Sequence, residues 1–352
     1  MRTESITLNQ FMTEVQQDLQ ERLSRMYPDT RVEMQDVAKV QGESYQGLMI
    51  RQDGHRASPV FNLQPMYEQL SFRSYGNVLN DLVRQAVDVL ENPRNIIPEE
   101  FMDYDFMKGK LMTQVISAKD NAARLAELPH QEMKDMAVIY RFVLDNDSRG
   151  DMMSVTVNNA MLETYGITQE QLHVDALKAM KENRTYSIRP MGVVLAGLDP
   201  SFEESDDPIG PPGLYVAAMD TKVYGAAVIT QPDFMEKAAE VEKGDFFLLP
   251  SSIHEVLILK DDGLTDYREL EAMVQTINAA EVQPADRLTD SVYHYDAEER
   301  IFETAKEYAE RKAEMTLEKR ESVLQDLAEL KQKTKDYVPK GRSSPQRGGE
   351  IL

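Results

Sequence analysis

Apolar residues recur at helical spacing from the start of the chain. Leu8, Phe11, Met12, Val15, Leu19, Leu23 and Met26 share one face of a helix that Pro28 ends. Thr7 and Gln10 fit a capping box, in which the hydroxyl satisfies an early amide and the glutamine reaches back. Two strand-like runs follow, 31–41 and 43–52, parted near Gly42 and closed by Asp53-Gly54. Helical spacing returns at Val78, Leu79, Leu82, Val83, Ala86, Val87 and Leu90 and stops at Asn92-Pro93. Residues 1–93 therefore predict a helix–hairpin–helix unit.

Residues 94–198 predict a strand-rich α+β unit. After a mixed stretch come strands over 111–116, 137–144 and 152–157, the last two flanking an acidic turn at 145–151. Thr168 and Gln171 then cap a helix with Leu172, Ala176, Leu177 and Met180 inward. Residues 199–213 hold four prolines and a run of acids, the composition of a loop or linker. A third α+β unit, 214–295, opens with a strand at 214–219. Within it the order is strand (224–230), helix (232–242), strand (245–250), tight corner, strand (253–259), with a further helix over 266–280. Phe234, Met235 and Ala238 are expected to face the sheet. Asp296 and Glu299 form a second capping box, and the helical pattern then continues to about Lys335. This long charged helix (296–338) should dock through Ile301, Phe302, Ala305, Tyr308 and Ala309. It should project where Leu317, Leu324, Leu327 and Leu330 stand among charges, as in a coiled coil. Residues 339–352, rich in Gly, Ser, Pro and Arg, predict a disordered basic tail. The fold class is α+β: the N-terminal unit, a mixed-sheet body, a long C-terminal helix and the tail.

Composition narrows the function classes. The chain has 352 residues, 41% hydrophobic and 28% charged, enough to build cores. It has no cysteine, which excludes disulfides, thiolate zinc sites, iron–sulfur clusters and cysteine nucleophiles and fits a reducing cytoplasm. The first residues turn polar at once, without the apolar core of a signal peptide, and no run is long enough to span a membrane. A net charge of −22 repels phosphate backbones, so nucleic acid is expected to meet at most the basic tail. Five histidines leave little for a histidine-rich metal site. No cofactor and no metal is indicated.

The densest chemistry lies at one corner: Ser251, Ser252, His254 and Glu255 fall between two apolar runs. A serine beside a histidine can be a nucleophile with its base. On an extended strand, however, Ser252 and His254 share a face while Glu255 points away, and no Gly-x-Ser-x-Gly elbow is present. The competing reading is a Pro-Ser-Ser corner whose hydroxyls bond local amides. His254-Glu255 lacks the second histidine of a zinc-protease motif, because Ile258 stands in its place. Asp145, Asp147 and Gly150 match part of a calcium loop, but Arg149 and Thr156 stand where ligands belong. Phosphate-cradling glycine loops are absent.

Several segments carry a resemblance: Pro129-His130, Ile139-Tyr140-Arg141, Gly166-Ile167-Thr168, Gly225-Ala226-Ala227 and, above all, Leu249-Pro250-Ser251-Ser252-Ile253-His254-Glu255-Val256. In these the chain resembles a family of functionally uncharacterised bacterial proteins common in anaerobic gut bacteria, over about residues 5–310. The resemblance implies one recurring module and gives weight to the 249–256 corner, but brings no activity or cofactor. The expected function is a cytosolic, non-enzymatic binding or adaptor protein that meets a protein partner through its C-terminal helix, with Ser251, Ser252, His254 and Glu255 as candidate contacts. A hydrolase using Ser252 or His254 is the alternative, and a nucleic-acid-associated factor acting through the tail a weaker one.

Overall fold

The computed structural model describes residues 6–37, 40, 44–53, 58, 60–91, 98–146, 152–198, 213–221 and 223–334. The first apolar stripe forms α1 (Leu8–Met26), closed by the expected box: Gln10 N donates to Thr7 Oγ1 at 3.3 Å and Thr7 N to Gln10 Oε1 at 2.9 Å. An antiparallel sheet follows, β1 (Thr30–Val37), β2 (Tyr45–Gln52) and β3 (Val60–Asn62), then α2 (Gln64–Glu68) and α3 (Tyr75–Glu91). Phe11, Leu19 and Leu23 of α1, Leu48 and Ile50 of β2, and Leu79, Leu82 and Ala86 of α3 form one core. Each large side chain so buried contributes about 1.5–3 kcal/mol. The Gln20 amide bonds Thr30 O and Val32 N, so a helix side chain satisfies the outer edge of β1.

The second group begins with α4 (Pro98–Met102) and α5 (Tyr104–Met107). It continues through β4 (Leu111–Ser117), α6 (Ala122–Leu125), β5 (His130–Met133), β6 (Met136–Asn146), β7 (Met152–Thr156), α7 (Asn159–Tyr165) and α8 (Gln169–Asn183). β6 is central, with β4 on one side and β5 and β7 on the other. Leu111, Tyr140 and Phe142 meet Leu172 and Ala176 of α8 on one face, while Met112, Val115 and Val138 turn toward the third group. Gly166-Ile167-Thr168 is a helix–helix joint: Gly166, at φ 65°, ends α7, and Thr168 Oγ1 caps α8 by accepting from Gln171 N at 3.1 Å.

The third group comprises β8 (Tyr186–Pro190), α9 (Met191–Leu198), β9 (Leu214–Met219), α10 (Phe234–Glu242), β10 (Phe246–Leu249), β11 (Val256–Lys260), α11 (Tyr267–Ala280), β12 (Tyr293–Asp296), β13 (Ile301–Thr304) and α12 (Ala305–Thr334). Its six strands run in the order β13-β12-β10-β11-β9-β8. The α+β class stands, but every pairing among the described strands is antiparallel rather than mixed. β10 is buried on both faces. Phe246 and Leu248 meet Phe234 and Ala238 of α10, as expected, while Phe247 and Leu249 meet Leu270 and Val274 of α11.

Two expected elements are corrected. Residues 224–230 are not a strand: Gly225–Thr230 form a 3-10 turn, entered by Tyr224 at φ 59°, with Gly225 to Ile229 all buried. The small residues Gly225, Ala226 and Ala227 let the chain coil inside the core, and that burial overrides the strand bias of Val228 and Ile229. The long helix does not start at Asp296. Asp296 ends β12 and accepts from Glu299 N at 2.9 Å within a hairpin turn, which Arg300 at φ 56° reverses into β13. The box that opens α12 is Thr304 with Glu307: Glu307 N donates to Thr304 Oγ1 at 3.2 Å and Thr304 N to Glu307 Oε2 at 2.9 Å. The capping pattern thus closed a turn at one position and a helix at the next. The helix expected over 232–242 likewise starts later, at Phe234, so Pro232 precedes it.

The base of α12 is anchored. Arg311 bonds Glu303 at 2.6 Å and Asp296 at 3.0 Å, and Glu307 pairs with Lys134, in the β5–β6 turn, at 2.9 Å. From residue 312 to 332 every residue is exposed. The acidic turn at 147–151, the linker at 199–212 and the tail at 339–352 lie outside the described residues.

Candidate functional site

The 249–256 corner is held by its backbone. Ile253 N donates to Asp286 O at 2.8 Å, Leu288 N to Ser251 O at 3.1 Å, and Ala226 N to Ile253 O at 3.1 Å. Residue 225 must be glycine here: a Cβ would overlap the carbonyl oxygen of His254 and crowd Ala218 Cβ at 3.0 Å. Strand geometry ends at Leu249 and resumes only at Val256, so Ser252, His254 and Glu255 sit in the corner itself. Ser252, 6% exposed, accepts the His254 backbone amide at 3.0 Å. Its hydroxyl makes no bond to the imidazole among the described residues. His254 Nε2 lies 3.4 Å from Asp286 Oδ1, both side chains being about one-third exposed, and Nδ1 is buried without a partner. Ser251 is half-buried and Glu255 exposed. The four residues expected as contacts are adjacent, but they do not assemble a nucleophile on its base.

A second constellation forms at the ends of three neighbouring strands. Asp245 precedes β10, Asp261 follows β11, and His294 lies on β12 opposite Phe247. Asp261 N donates to Asp245 O at 3.0 Å, which aligns the two aspartates. One ligand atom from each of Asp245, Asp261 and His294 lies within 4.8 Å of the others. His294 is fully buried; its Nε2 is 3.1 Å from Asp261 Oδ2. The ring stacks on Tyr308 of α12, centroids 3.5 Å apart, and meets Phe247 edge-on at 5.2 Å. The His294 bond holds the Asp261 carboxyl below its ordinary range, against a burial that pushes it up. Lys312 donates to the Tyr308 hydroxyl at 2.8 Å, and this bond, with the nearby aspartates, raises its own pKa.

This cluster borders a cleft of about 600 Å³ between α12 and the β11–α11 loop. Ala305, Ala309, Ala313 and Leu317 line one wall, and Arg268, Lys312 and Arg320 contribute cations. Sequence reading missed the cluster because its members are far apart and follow no spacing. The only local signs were an aspartate at each strand end, in Gly244-Asp245 and Asp261-Asp262-Gly263, and a histidine between Tyr293 and Tyr295.

Fold and site together define an antiparallel α+β protein with an aspartate–histidine cluster, its histidine buried and its aspartates half-buried, beside an open cleft. The chain belongs to the family described as Family of unknown function (DUF5688), which matches residues 8–297. No curated protein and no solved structure matches the chain. The matched span contains the corner and all three cluster residues, and it ends before β13 and α12. No described helix is long and apolar enough to cross a membrane.

Proposed function

We propose that this chain is a cytosolic, non-enzymatic binding protein that seats a protein partner along α12. One observation carries the reading: the cleft continues into an exposed apolar face of the same helix. Ala313, Arg320 and Leu327 follow one another seven residues apart, as do Thr316 and Val323, and Leu317 and Leu324, so the face that lines the cleft extends along the projecting half. Leu317 is 58% exposed and Leu324 65%. Contiguous apolar surface of this kind favours a docking role. Arg268, Lys312 and Arg320 beside it, in a chain of net charge −22, favour an acidic amphipathic segment.

The test is affinity capture from a native cell extract with three baits: the full-length chain, Leu324→Asp/Leu327→Asp, and Ala313→Glu, each confirmed folded by circular dichroism. A partner retained by the first and lost from both variants is expected. A captured set that neither variant changes would sink the reading.

A further inference from the structure

We propose that Asp245, Asp261 and His294 bind one divalent transition-metal ion, with zinc the best match to the donor set. The site goes beyond the partner-binding role and stands whether or not α12 takes a partner.

Three observations converge on it. The first is geometric. Two carboxylates and one imidazole present ligand atoms within 4.8 Å of one another, one pair already at 3.1 Å. Ligands about 2.0–2.2 Å from a tetrahedral zinc stand roughly 3.3–3.6 Å apart, so a small inward adjustment closes the site. The second is chemical. Among the described residues neither Asp245 nor Asp261 forms an ion pair with a lysine or arginine. Lys312 instead donates to the Tyr308 hydroxyl. Two like charges held this close favour a cation between them. The third is unused capacity. Only Ala297 N, at 2.9 Å, donates to Asp245 among the described residues, which leaves its other carboxylate oxygen to ligate.

The donor set selects the class of ion. Imidazole suits zinc and its neighbours better than calcium or magnesium, and two carboxylates neutralise a divalent charge. Three protein ligands leave a coordination position open, and Asp261 lines the cleft from which a water or a partner's carboxylate would fill it. Stacking on Tyr308 and the edge-on contact with Phe247 fix the imidazole plane.

The experiment uses the full-length chain, stripped with chelator and titrated with Zn²⁺ by calorimetry, with bound metal counted after dialysis. One equivalent is expected, with a raised melting temperature. Asp245→Asn keeps the oxygen that accepts Ala297 N and should fold, yet it should weaken Zn²⁺ binding at least about tenfold. His294→Gln should do the same. Lys312→Met, which removes a competing positive charge, should tighten binding. Failure of the wild type to take one equivalent would overturn the proposal. So would binding that Asp245→Asn leaves unchanged, which would place the metal on surface acids, or equal retention of Mg²⁺. The partner reading is tested on α12 variants, so failure of one does not imply failure of the other.

Discussion

Two places on the six-stranded sheet bring a histidine to an aspartate, and they are built in opposite ways. At the corner, His254 and Ser252 are two residues apart, and their proximity is used up by the backbone: the serine hydroxyl holds the His254 amide, and the imidazole looks out at Asp286 across 3.4 Å. Asp245, Asp261 and His294 are brought together at the ends of three strands; Asp261 Oδ1 accepts Gly263 N at 2.8 Å, but its Oδ2 is left to face His294. There the imidazole is enclosed, stacked and 3.1 Å from its carboxylate. Residues crowded in sequence tend to satisfy each other's backbone. Chemistry that needs side chains facing one another is assembled more readily from neighbouring strands, whose register fixes who meets whom.

The comparison breaks first at His294. Replacing it by leucine leaves the Asp261 carboxylate, 7% exposed, without its buried partner. Breaking a buried pair costs about 3–5 kcal/mol. Denaturant unfolding should show that loss, and a change under 1 kcal/mol would put the two histidines in the same class. Gly225→Ala tests the corner's frame. The added Cβ meets a backbone carbonyl that is itself fixed by neighbouring bonds, so it cannot be relieved by a rotamer change. Overpacking of this kind costs about 3 kcal/mol, and a fully stable variant would show that the corner floats.

Glu242 sharpens the contrast from the other side. It closes α10 just before Asp245 and is 4% exposed, with one carboxyl oxygen buried and unpartnered. Burial raises its pKa from 4.5 to about 7, with Lys260 opposing. The folded protein therefore holds this proton more tightly than the unfolded chain. The resulting stabilisation is full below 4.5 and is lost as pH rises to about 7, a change on the order of 3 kcal/mol. Glu242→Gln should remove that part of the slope when its unfolding free energies are compared with the wild type's between pH 4 and 8. Parallel profiles would show that Glu242 is solvated.

What could be read from the chain follows the same division. Periodic apolar stripes placed α1, α3 and α8, because each helix buries one face and the spacing records it. Turn chemistry was ambiguous where one pattern serves two geometries: Asp296 with Glu299 closes a hairpin and Thr304 with Glu307 opens a helix, though both offer an acceptor three residues from an amide. The strand β5 and the hairpin β12–β13 escaped notice because they are four residues each and owe their burial to neighbours. For the candidate sites, the corner was visible as a cluster of names and its backbone role was open. The aspartate–histidine cluster was not visible, since only the register between β10, β11 and β12 creates it.

The smallest effects belong to the corner's side chains. Ser252→Ala removes the acceptor of one half-buried amide, that of His254, and should cost about 1 kcal/mol. His254→Gln should cost less than about 1 kcal/mol, because its contact to Asp286 is long and both groups are about one-third exposed. The order matters more than the values. A serine that costs more than the histidine beside it is a turn-forming serine, whose hydroxyl works through the backbone. A nucleophile–base pair would behave otherwise: both variants would keep their stability, and a serine-directed covalent probe would label Ser252 in the wild type and lose it in His254→Gln. We expect the first pattern in paired urea melts, with no labelling of Ser252. Labelling that depends on His254 would move the corner from frame to site and erase the contrast with the strand-end cluster.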